Sequence, residues 1–400
     1  MGVECPAPFH QNRAQHHRRI LTPFCIFDRF GMQHLNIHGH TLTLRRFPHK
    51  PGCPLQAWDA ADALALTNHA LPDGEILILN DHFGALACGL AYPERTLEWV
   101  NDSYMAHQAL AQNLQLNRIE TPLHRTPALA ASPTNPVGIL IKLPRMLQLL
   151  SSQLDWLNLH LPKGTPVVIA ARQKDMPSTL PDLTRRLLDD VHPSRAEKKA
   201  RLIFGQLSGR QSGQAEITAW HCAELDCLLS HYPNVFGRQK LDLGARVLLQ
   251  NLGTIPDQVV DLGCGNGVLS IAALQRNPNS HVLAVDESWQ ATRSCQINLE
   301  RVRTPEHFKV VWGHSLSFIE GMQADLVLCN PPFHQHQTLT DDIAWCMFKD
   351  AHRVLKPGGR LRMVGNRHLG YHAKLHKLFG HCRSIAATPK FVVLESVKSS

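Results

Sequence analysis

Two segments of this 400-residue chain carry the same motifs in the same order, and this internal repeat restricts the folds that the chain can adopt. Three pairs of segments match: ILILNDHFGAL (76–86) with VVDLGCGNGVL (259–269), WVNDSY (99–104) with AVDESW (284–289), and LPKGTPVVIA (161–170) with LKPGGRLRMV (355–364). One match could arise by chance, but three matches in one order favour a duplication. The sequence therefore predicts two tandem copies of one fold.

Within each copy, short apolar stretches alternate with segments of helical character. The apolar stretches lie at 76–80, 97–100, 137–143 and 166–170 in the first copy, and at 258–262, 281–285, 308–312, 324–329 and 360–365 in the second. This strand–helix alternation is typical of a parallel, doubly wound sheet. We therefore predict the α/β class, with two tandem Rossmann-like domains built on mostly parallel sheets.

The boundaries of these domains follow from changes in periodicity and composition. We predict a first domain over 32–220, a linker over 221–235 that ends at Tyr232-Pro233-Asn234, and a second domain over 236–400. Residues 1–31 lack periodicity and include the basic run His16-His17-Arg18-Arg19. We predict that this segment is a disordered leader, with a basic arm that binds RNA as the alternative.

Composition and charge narrow the class of partner and the compartment. Forty-one Lys and Arg against 33 Asp and Glu give a formal charge of +8, which favours a polyanionic partner. No apolar run approaches the ~20 residues that span a bilayer, and no signal peptide is evident, so we expect a cytoplasmic protein without membrane association. The 11 cysteines contain no C-x-x-C pair, so we predict buried thiols and no metal.

A glycine-rich turn follows the strand at 258–262 and precedes a helix. Its D-x-G-x-G-x-G spacing is set by Asp261, Gly263, Gly265 and Gly267, with Asn266 between the last two glycines, and it differs from the dinucleotide pattern G-x-G-x-x-G. An acid at this position repels pyrophosphate but can pair with an ammonium group. The turn therefore favours S-adenosylmethionine, which carries an ammonium and a sulfonium; a tight turn without a ligand is the alternative.

Acidic and polar residues at the next two strand ends complete a predicted cofactor cleft. Asp286 lies about 20 residues beyond the glycines, where an acid can accept both ribose hydroxyls, and Glu287 beside it is an alternative. After the strand at 308–312, His314 and Ser315 are expected to flank the adenine. An acid or amide is more usual at that place.

Asn330-Pro331-Pro332-Phe333 follows a buried strand and indicates the chemistry. An aryl amine is a poor nucleophile because its lone pair is delocalised into the ring. The Asn330 side-chain oxygen and the Pro331 carbonyl can accept its two N–H groups and direct the lone pair at a methyl donor, while Pro332 stiffens the backbone. Phe333 can stack on a flipped base. A rigid exit from the strand without catalytic function is the alternative.

Two further groups of residues are weaker candidates. Asn366-Arg367-His368, Lys374 and Lys377 could hold phosphates near the target, or they could form a solvated basic face. The second group precedes the glycine turn and could close over the methionine end of the cofactor: Phe236, Arg238, Asp242 and Gly244.

The first copy lacks these residues. When Gly84 is aligned with Gly267, the positions of Asp261, Gly263 and Gly265 are taken by Ile78, Asn80 and His82. In the matching pair WVNDSY and AVDESW, Asn101 stands in for Asp286, and Lys142-Leu143-Pro144-Arg145 replaces the N-P-P-F loop. We therefore predict a degenerate first domain that retains its fold but binds no cofactor. Its basic residues are expected to position RNA instead: Arg45, Arg46, Lys198, Lys199 and Arg201.

From Met32 onward the chain resembles the bacterial ribosomal RNA guanine-N2 methyltransferases that carry a duplicated, inactive N-terminal methyltransferase domain. The resemblance rests on the glycine motif and on LTLRRFP (42–48), LQAWDAAD (55–62), VDES (285–288) and LCNPPFHQHQTLTDDIAW (328–345), and it is greater to the large-subunit (23S) enzymes than to the small-subunit ones. It implies methyl transfer from S-adenosylmethionine to the N2 amine of a guanine in 23S rRNA, either naked or within an assembling large ribosomal subunit. We also expect a monomer.

Alternatives to this function remain at this stage. The N-P-P-F element also occurs in adenine-N6 and protein glutamine methyltransferases, so by itself it indicates amine chemistry and not the substrate. We therefore retain a 16S rRNA guanine-N2 methyltransferase, a glutamine-N5 methyltransferase and a non-catalytic RNA-binding assembly factor as alternatives.

Overall fold

A computed structural model describes residues 25–27, 33–37, 39–49, 52–68, 71–93, 95–129, 135–237, 240–332 and 337–399, with only the backbone described at 25–27 and 337–341. Phe333, Arg238 and most of the predicted leader lie outside these ranges. Three leader residues, Cys25–Phe27, form a strand that pairs with Gln33–Leu35. Among the described helices, none is both long and apolar enough to cross a bilayer.

The first half of the chain contains ten strands and five helices in its described residues. The strands are β1 (Cys25–Phe27), β2 (Gln33–Ile37), β3 (His40–Leu44), β4 (Glu75–Leu79), β5 (Thr96–Val100), β6 (Leu123–Thr126), β7 (Gly138–Lys142), β8 (Pro166–Arg172), β9 (Leu188–Pro193) and β10 (Ala200–Leu207). The helices are α1 (Ala60–Thr67), α2 (Ala85–Leu90), α3 (Tyr104–Leu116), α4 (Leu147–His160) and α5 (Leu180–Leu187).

The described part of the second half contains nine strands and five helices. The strands are β11 (Thr218–Cys222), β12 (Cys227–His231), β13 (Gln258–Leu262), β14 (His281–Asp286), β15 (Phe308–Trp312), β16 (Ala324–Cys329), β17 (Leu355–Asn366), β18 (Arg383–Ala387) and β19 (Phe391–Val397). The helices are α6 (Leu243–Gln250), α7 (Val268–Arg276), α8 (Trp289–Glu300), α9 (Gln337–Val354) and α10 (Tyr371–Phe379).

Each half is built on one seven-stranded sheet, and the two sheets have the same topology. Their strand orders are β6-β5-β4-β7-β8-β10-β9 and β15-β14-β13-β16-β17-β19-β18. In each sheet the first five strands are parallel and the last two pair antiparallel. The predicted α/β class with two mostly parallel, doubly wound sheets is therefore confirmed.

The apolar runs of the central strands reflect burial on both faces of each sheet. In β4, Ile76 and Ile78 join the core on one face, whereas Leu77 and Leu79 join the core on the other. Because side chains alternate along a strand and helices cover both faces, a central strand needs apolar residues at every position. Each sheet is thus a central layer between helices, and the carboxyl ends of its parallel strands lie along one edge of that layer.

The predicted linker at 221–235 is wrong, because a β-hairpin occupies most of it. Strands β11 and β12 pair antiparallel, and Cys222, Leu225 and Leu229 belong to the core of the second domain. The Asn298 side chain on α8 also accepts from Ser230 N (2.7 Å) and donates to Ser230 O (2.9 Å). The hairpin belongs to the second domain, which therefore begins before the predicted boundary.

The two domains meet at equivalent loops, which follow β5 in the first and β14 in the second. Tyr104 N donates to Glu287 O (2.8 Å), and Trp289 N donates to Asp102 O (2.9 Å). The pairing is reciprocal about an antiparallel bridge between Ser103 and Ser288. An approximate two-fold axis therefore passes between the loops, and it brings the first domain next to the predicted cofactor cleft.

Candidate active site

The glycine turn after β13 adopts backbone conformations that require glycine. Gly263, Gly265 and Gly267 have φ values of 78°, 53° and 85°. A Cβ atom on Gly267 would lie 2.8 Å from the Cys295 Sγ atom, whereas a Cβ atom on Gly265 would meet nothing within 4 Å. The turn therefore packs tightly against α8 at its end and leaves open space at Gly265, where a ligand can approach the backbone.

Asp286 and the glycine turn are brought together as predicted. Gly265 N donates to Asp286 Oδ2 (2.9 Å), and Ser288 N donates to Asp286 Oδ1 (3.0 Å). Burial raises the pKa of this carboxyl group above its ordinary value. Each carboxylate oxygen can accept a second hydrogen bond, so Asp286 can hold the turn and still receive ribose hydroxyls.

Asp261 lies beneath the turn rather than in an open cleft. Its side chain is fully buried, and Oδ2 accepts from Ser270 N (3.0 Å) and Ser270 Oγ (2.6 Å). Burial raises its pKa to about 6. Its second oxygen, Oδ1, is buried and has no hydrogen-bond partner among the described residues. Such an acceptor usually has a partner, and it fits the predicted ammonium group of the cofactor.

Glu287 does not join Asp286 as an alternative ribose ligand. Its Oε2 atom accepts a hydrogen bond of 2.5 Å from Ser103 Oγ in the first domain. Neighbouring residues of an extended segment point in opposite directions, so the side chain after Asp286 faces away from the glycine turn. Burial at this seam, with Asp286 and Asp102 nearby, raises the pKa of Glu287 to about 8. The predicted cofactor role of Glu287 is therefore corrected to an interdomain contact.

The loop after β15 lies beside Asp286, but its two candidate residues, His314 and Ser315, have different surroundings. Gly313 N donates to Asp286 O (2.9 Å). The His314 ring packs edge-on against Phe47 of the first domain, with centroids 5.7 Å apart, and burial lowers its pKa. Ser315 has a φ of 49°, and its buried hydroxyl has no hydrogen-bond partner among the described residues. Ser315 is thus the better candidate for a contact with the cofactor, and His314 lines the interdomain seam.

Asn330 follows β16 at the same edge of the sheet. A Cβ atom on Gly263 would lie 3.9 Å from the Asn330 carbonyl oxygen, so the glycine turn and the N-P-P-F loop are neighbours. The Asn330 amide donates from Nδ2 to Asp242 Oδ2 (3.3 Å), while its Oδ1 atom is buried without a partner among the described residues. Pro331 is buried and Pro332 exposed. The arrangement leaves one unused acceptor where the target amine is predicted to bind.

The weaker candidates receive mixed support. Asp242 was predicted to close over the methionine end of the cofactor, and its side chain contacts Asn330. Phe236, from the same predicted group, is 58% exposed. Asn366 ends β17 with a buried Oδ1 atom that lacks a partner among the described residues, and the Lys374 ammonium lies 5.6 Å from the centroid of the Tyr371 ring. Within the described ranges, no group of three or more His, Cys, Asp or Glu could hold a metal ion.

In the first domain, side chains fill the turn that corresponds to the glycine turn of the second domain. Asn80 N donates to Val100 O (3.1 Å), just as Gly263 N donates to Val285 O (2.8 Å), so Asn80 occupies the Gly263 position as the repeat predicts. The Asn80 amide forms two reciprocal bonds of 2.9 Å with Gln153. This amide pair occupies the turn and leaves no open glycine backbone at this position.

An ion-pair cluster occupies the position of the N-P-P-F loop in the first domain. Leu79 pairs with Ile141 as Leu262 pairs with Cys329, so Lys142 takes the place of Asn330. The buried Lys142 ammonium lies 2.5 Å from Asp59 Oδ1 and 2.6 Å from Asp62 Oδ1. The sequence analysis did not predict this cluster, although a lysine inside the apolar run VGILIKL (137–143) indicates a buried partner.

Comparison with known proteins gives two matching family models and several similar relatives. Residues 32–209 match the RLMG N-terminal domain, and residues 226–395 match the methyltransferase small domain. The ribosomal RNA large subunit methyltransferase G of Pseudoalteromonas translucida is 41% identical over 90% of this chain and 97% of its own length. The protein of the same name from Photobacterium profundum is 43% identical over 91% of this chain and 99% of its own length.

A solved structure has the same two-domain fold. The T. thermophilus 16S rRNA guanine-N2 methyltransferase RsmC, in complex with AdoMet and guanosine, aligns with a TM-score of 0.74 and 21% identity. The alignment covers 92% of this chain and 98% of that one. At this identity the likeness shows the tandem fold. It agrees with the duplicated sheets and with the equivalent strand orders of the two domains.

Proposed function

Because this chain belongs to the family of the ribosomal RNA large subunit methyltransferase G, we propose that it transfers a methyl group from S-adenosylmethionine to the N2 amine of one guanine in 23S rRNA. The observation that carries the proposal is the unused Asn330 Oδ1 acceptor beside the glycine turn. An exocyclic amine offers the N–H group that such an acceptor requires.

The residues around the turn would hold the methyl donor. When bound, the donor supplies an electrophilic methyl group on a positively charged sulfur. The Asp261 Oδ1 atom would accept from its ammonium, the Asp286 carboxylate would accept from its ribose hydroxyls, and the open space at Gly265 would admit it to the backbone. These features lie at the carboxyl ends of β13 and β14 in the second sheet. Doubly wound folds bind ligands at this edge of the sheet.

Asn330 would orient the nucleophile. Its Oδ1 atom and the Pro331 carbonyl accept the two N–H groups of the amine, and the nitrogen lone pair is left directed at the donor. Guanine must leave its stack to reach this pocket, so an unpaired or opened RNA segment is the expected target. The amine loses a proton only after it has become cationic, so these residues need not supply a strong base.

The first domain would position the RNA. Lys198 and Lys199 are exposed in the turn before β10, and Gln173 N donates to Lys199 O (2.8 Å) at the carboxyl end of β8. This turn therefore lies at the same edge of the first sheet as the cluster around Lys142. Clustered exposed lysines bind phosphates with an affinity that falls as salt rises.

The interdomain contact bears on the oligomeric state of the protein. The interdomain contact is reciprocal about an approximate two-fold axis, as a contact between two identical subunits would be. Because the duplication satisfies this contact within one chain, we propose a monomer. We also propose that it acts in the cytoplasm, where bacterial ribosomal RNA is made.

The test is a map of methylated nucleotides in rRNA from cells with and without this protein. We expect one N2-methylguanine in 23S rRNA to disappear on deletion, to return with the parent chain, and to remain absent with Asn330→Ala. A methyl group lost from 16S rRNA would favour the small-subunit alternative. Transfer to adenine or to protein glutamine would contradict the proposed substrate class.

A further inference from the structure

Asp242 links the start of α6 to the predicted catalytic asparagine. It is the N-cap of α6, and its Oδ2 atom accepts from Ala245 N (2.9 Å). The same oxygen accepts from Asn330 Nδ2 (3.3 Å). One carboxylate oxygen therefore both caps the helix and contacts the side chain that follows β16.

This contact determines which end of the Asn330 amide faces the pocket. An asparagine amide has a donor end and an acceptor end, and rotation by 180° exchanges them with little change of shape. A carboxylate oxygen can only accept, so the NH₂ end must face Asp242. The Oδ1 end then remains buried with no partner among the described residues, available to an incoming N–H group.

The first domain has the same helix–strand arrangement. Helix α1 packs on β8 and β10 as α6 packs on β17 and β19. Its N-cap, Asp59, accepts from Ala61 N (2.8 Å) and contacts Lys142, which occupies the Asn330 position. The duplicated fold thus brings the cap of this helix to the carboxyl end of the central strand in both domains, to Lys142 in the first and Asn330 in the second. In the first domain the acid neutralises a cation, and in the second it orients an amide.

We propose that Asp242 is a positioning residue for methyl transfer, which holds the Asn330 amide so that Oδ1 accepts from the target amine. The proposal rests on the function assigned to Asn330 above. Asp242 touches neither substrate nor cofactor in this role. It acts through Asn330, and its effect must disappear when Asn330 is absent.

Three variants separate orientation from helix capping. Serine caps helices about as well as aspartate, but its hydroxyl can donate as well as accept and does not fix the amide. We expect Asp242→Ser to lower the single-turnover methylation rate by about 10- to 100-fold, with the dissociation constant for S-adenosylmethionine nearly unchanged. Asp242→Asn should retain most of the rate, because the Ala245 N–H at the cap holds its acceptor oxygen in the place of Oδ2, where it can still accept from Asn330 Nδ2. The matched control Asp59→Ser, at the equivalent cap, should leave the rate unchanged.

A double variant tests whether Asp242 affects the methylation rate through Asn330. Adding Asp242→Ser to Asn330→Ala should cause no further loss of rate, because the orienting partner is already gone. An additional loss of tenfold or more in this background would overturn the proposal. Equal losses in Asp242→Ser and Asp242→Asn would also overturn it.

A readout without methyl transfer distinguishes failure of this inference from failure of the proposed function. In ¹⁵N-labelled protein, the Asn330 side-chain amide signals can be assigned by their loss in Asn330→Ala. We expect one amide proton to be shifted downfield by the carboxylate, and this shift to vanish in Asp242→Ser. If the parent chain lacks the shift, Asp242 does not orient Asn330. If the shift is present but no guanine is methylated, the orientation stands and the proposed function fails.

Discussion

Replacing Glu287 by glutamine should remove much of the pH dependence of stability between pH 6 and 8. Glu287 is partly buried where the domains meet, and its pKa is raised to about 8 by burial and by the nearby Asp286 and Asp102 carboxylates. In the unfolded chain a glutamate has a pKa of about 4.3. The folded protein therefore binds a proton that the unfolded chain has lost, and stability falls as the pH rises from about 4.3 to about 8.

The size of the effect follows from these two pKa values. Between pH 6 and 8 this single group lowers the free energy of unfolding by about 2 kcal/mol. Glutamine keeps an acceptor for Ser103 Oγ but does not ionise, so Glu287→Gln should lack this contribution. Asp261, Asp102 and Asp286 also have raised pKa values, and their contribution remains in both proteins. The difference between the two slopes therefore isolates Glu287.

The measurement is urea unfolding of the cofactor-free parent and variant at pH 6, 7 and 8 and constant ionic strength. Glu300→Gln is the matched control, because Glu300 is exposed at the end of α8, where its side chain accepts from the neighbouring Gln296. We expect the control to follow the parent. Equal slopes in the parent and Glu287→Gln would refute the interpretation that Glu287 is protonated at the seam.

Four further predictions concern the cofactor, the methyl transfer, the RNA and the filled site of the first domain. Calorimetry should give one equivalent of S-adenosylmethionine per chain, and Asp286→Ala should weaken its binding by about 10- to 100-fold; two equivalents would contradict the degenerate first domain. Asn330→Ala should bind the cofactor nearly normally but lower the single-turnover rate by about 100-fold or more, and a normal rate would remove this loop from the mechanism. Reversing the charge of Lys198 and Lys199 should weaken RNA binding and reduce its salt dependence, with a slope change of about 0.7 for each single-stranded phosphate that is no longer neutralised; an unchanged slope would leave this turn without an RNA role. Lys142→Met should lower the free energy of unfolding by about 3–5 kcal/mol, because it leaves the buried Asp62 carboxylate without its cation and Asp59 with Arg172 alone, and a smaller loss in urea unfolding would mean that water reaches Asp62.

The sequence predicted the central strands and their equivalence because both are governed by local patterns. Runs such as ILIL and QVVDL lie in the middle of a sheet, where both faces are buried, and a residue with positive φ follows each of them, Asn80 in the first copy and Gly263 in the second. Aligning the copies on Gly84 and Gly267 placed Asn80 on Gly263, and the hydrogen bonds confirm that alignment. These features require no knowledge of distant parts of the chain.

The antiparallel edges and the seam could not be predicted in the same way. Strands β9, β18 and the hairpin of β11 and β12 expose one face or an edge, so polar residues interrupt their apolar pattern. The direction of Glu287 depends on a serine 184 residues earlier in the chain. A pair of adjacent acids at a strand end does not reveal which one faces the cofactor and which one faces another domain.

The seam gives a physical reason for the retention of a domain that has lost its own cofactor turn. The Asp102 carboxylate in the first domain accepts from Ser288 Oγ (2.6 Å), Gln290 N (2.6 Å) and Asn234 Nδ2 (2.7 Å) in the second. Ser288 N in turn donates to Asp286, so the predicted ribose ligand lies one residue from a segment that the first domain holds. Without the first domain, these three donors would lose the Asp102 carboxylate as their acceptor, next to the loop that carries Asp286. The change of the glycine turn in one copy therefore leaves this contact intact, whereas loss of the copy itself would disturb the site in the second domain.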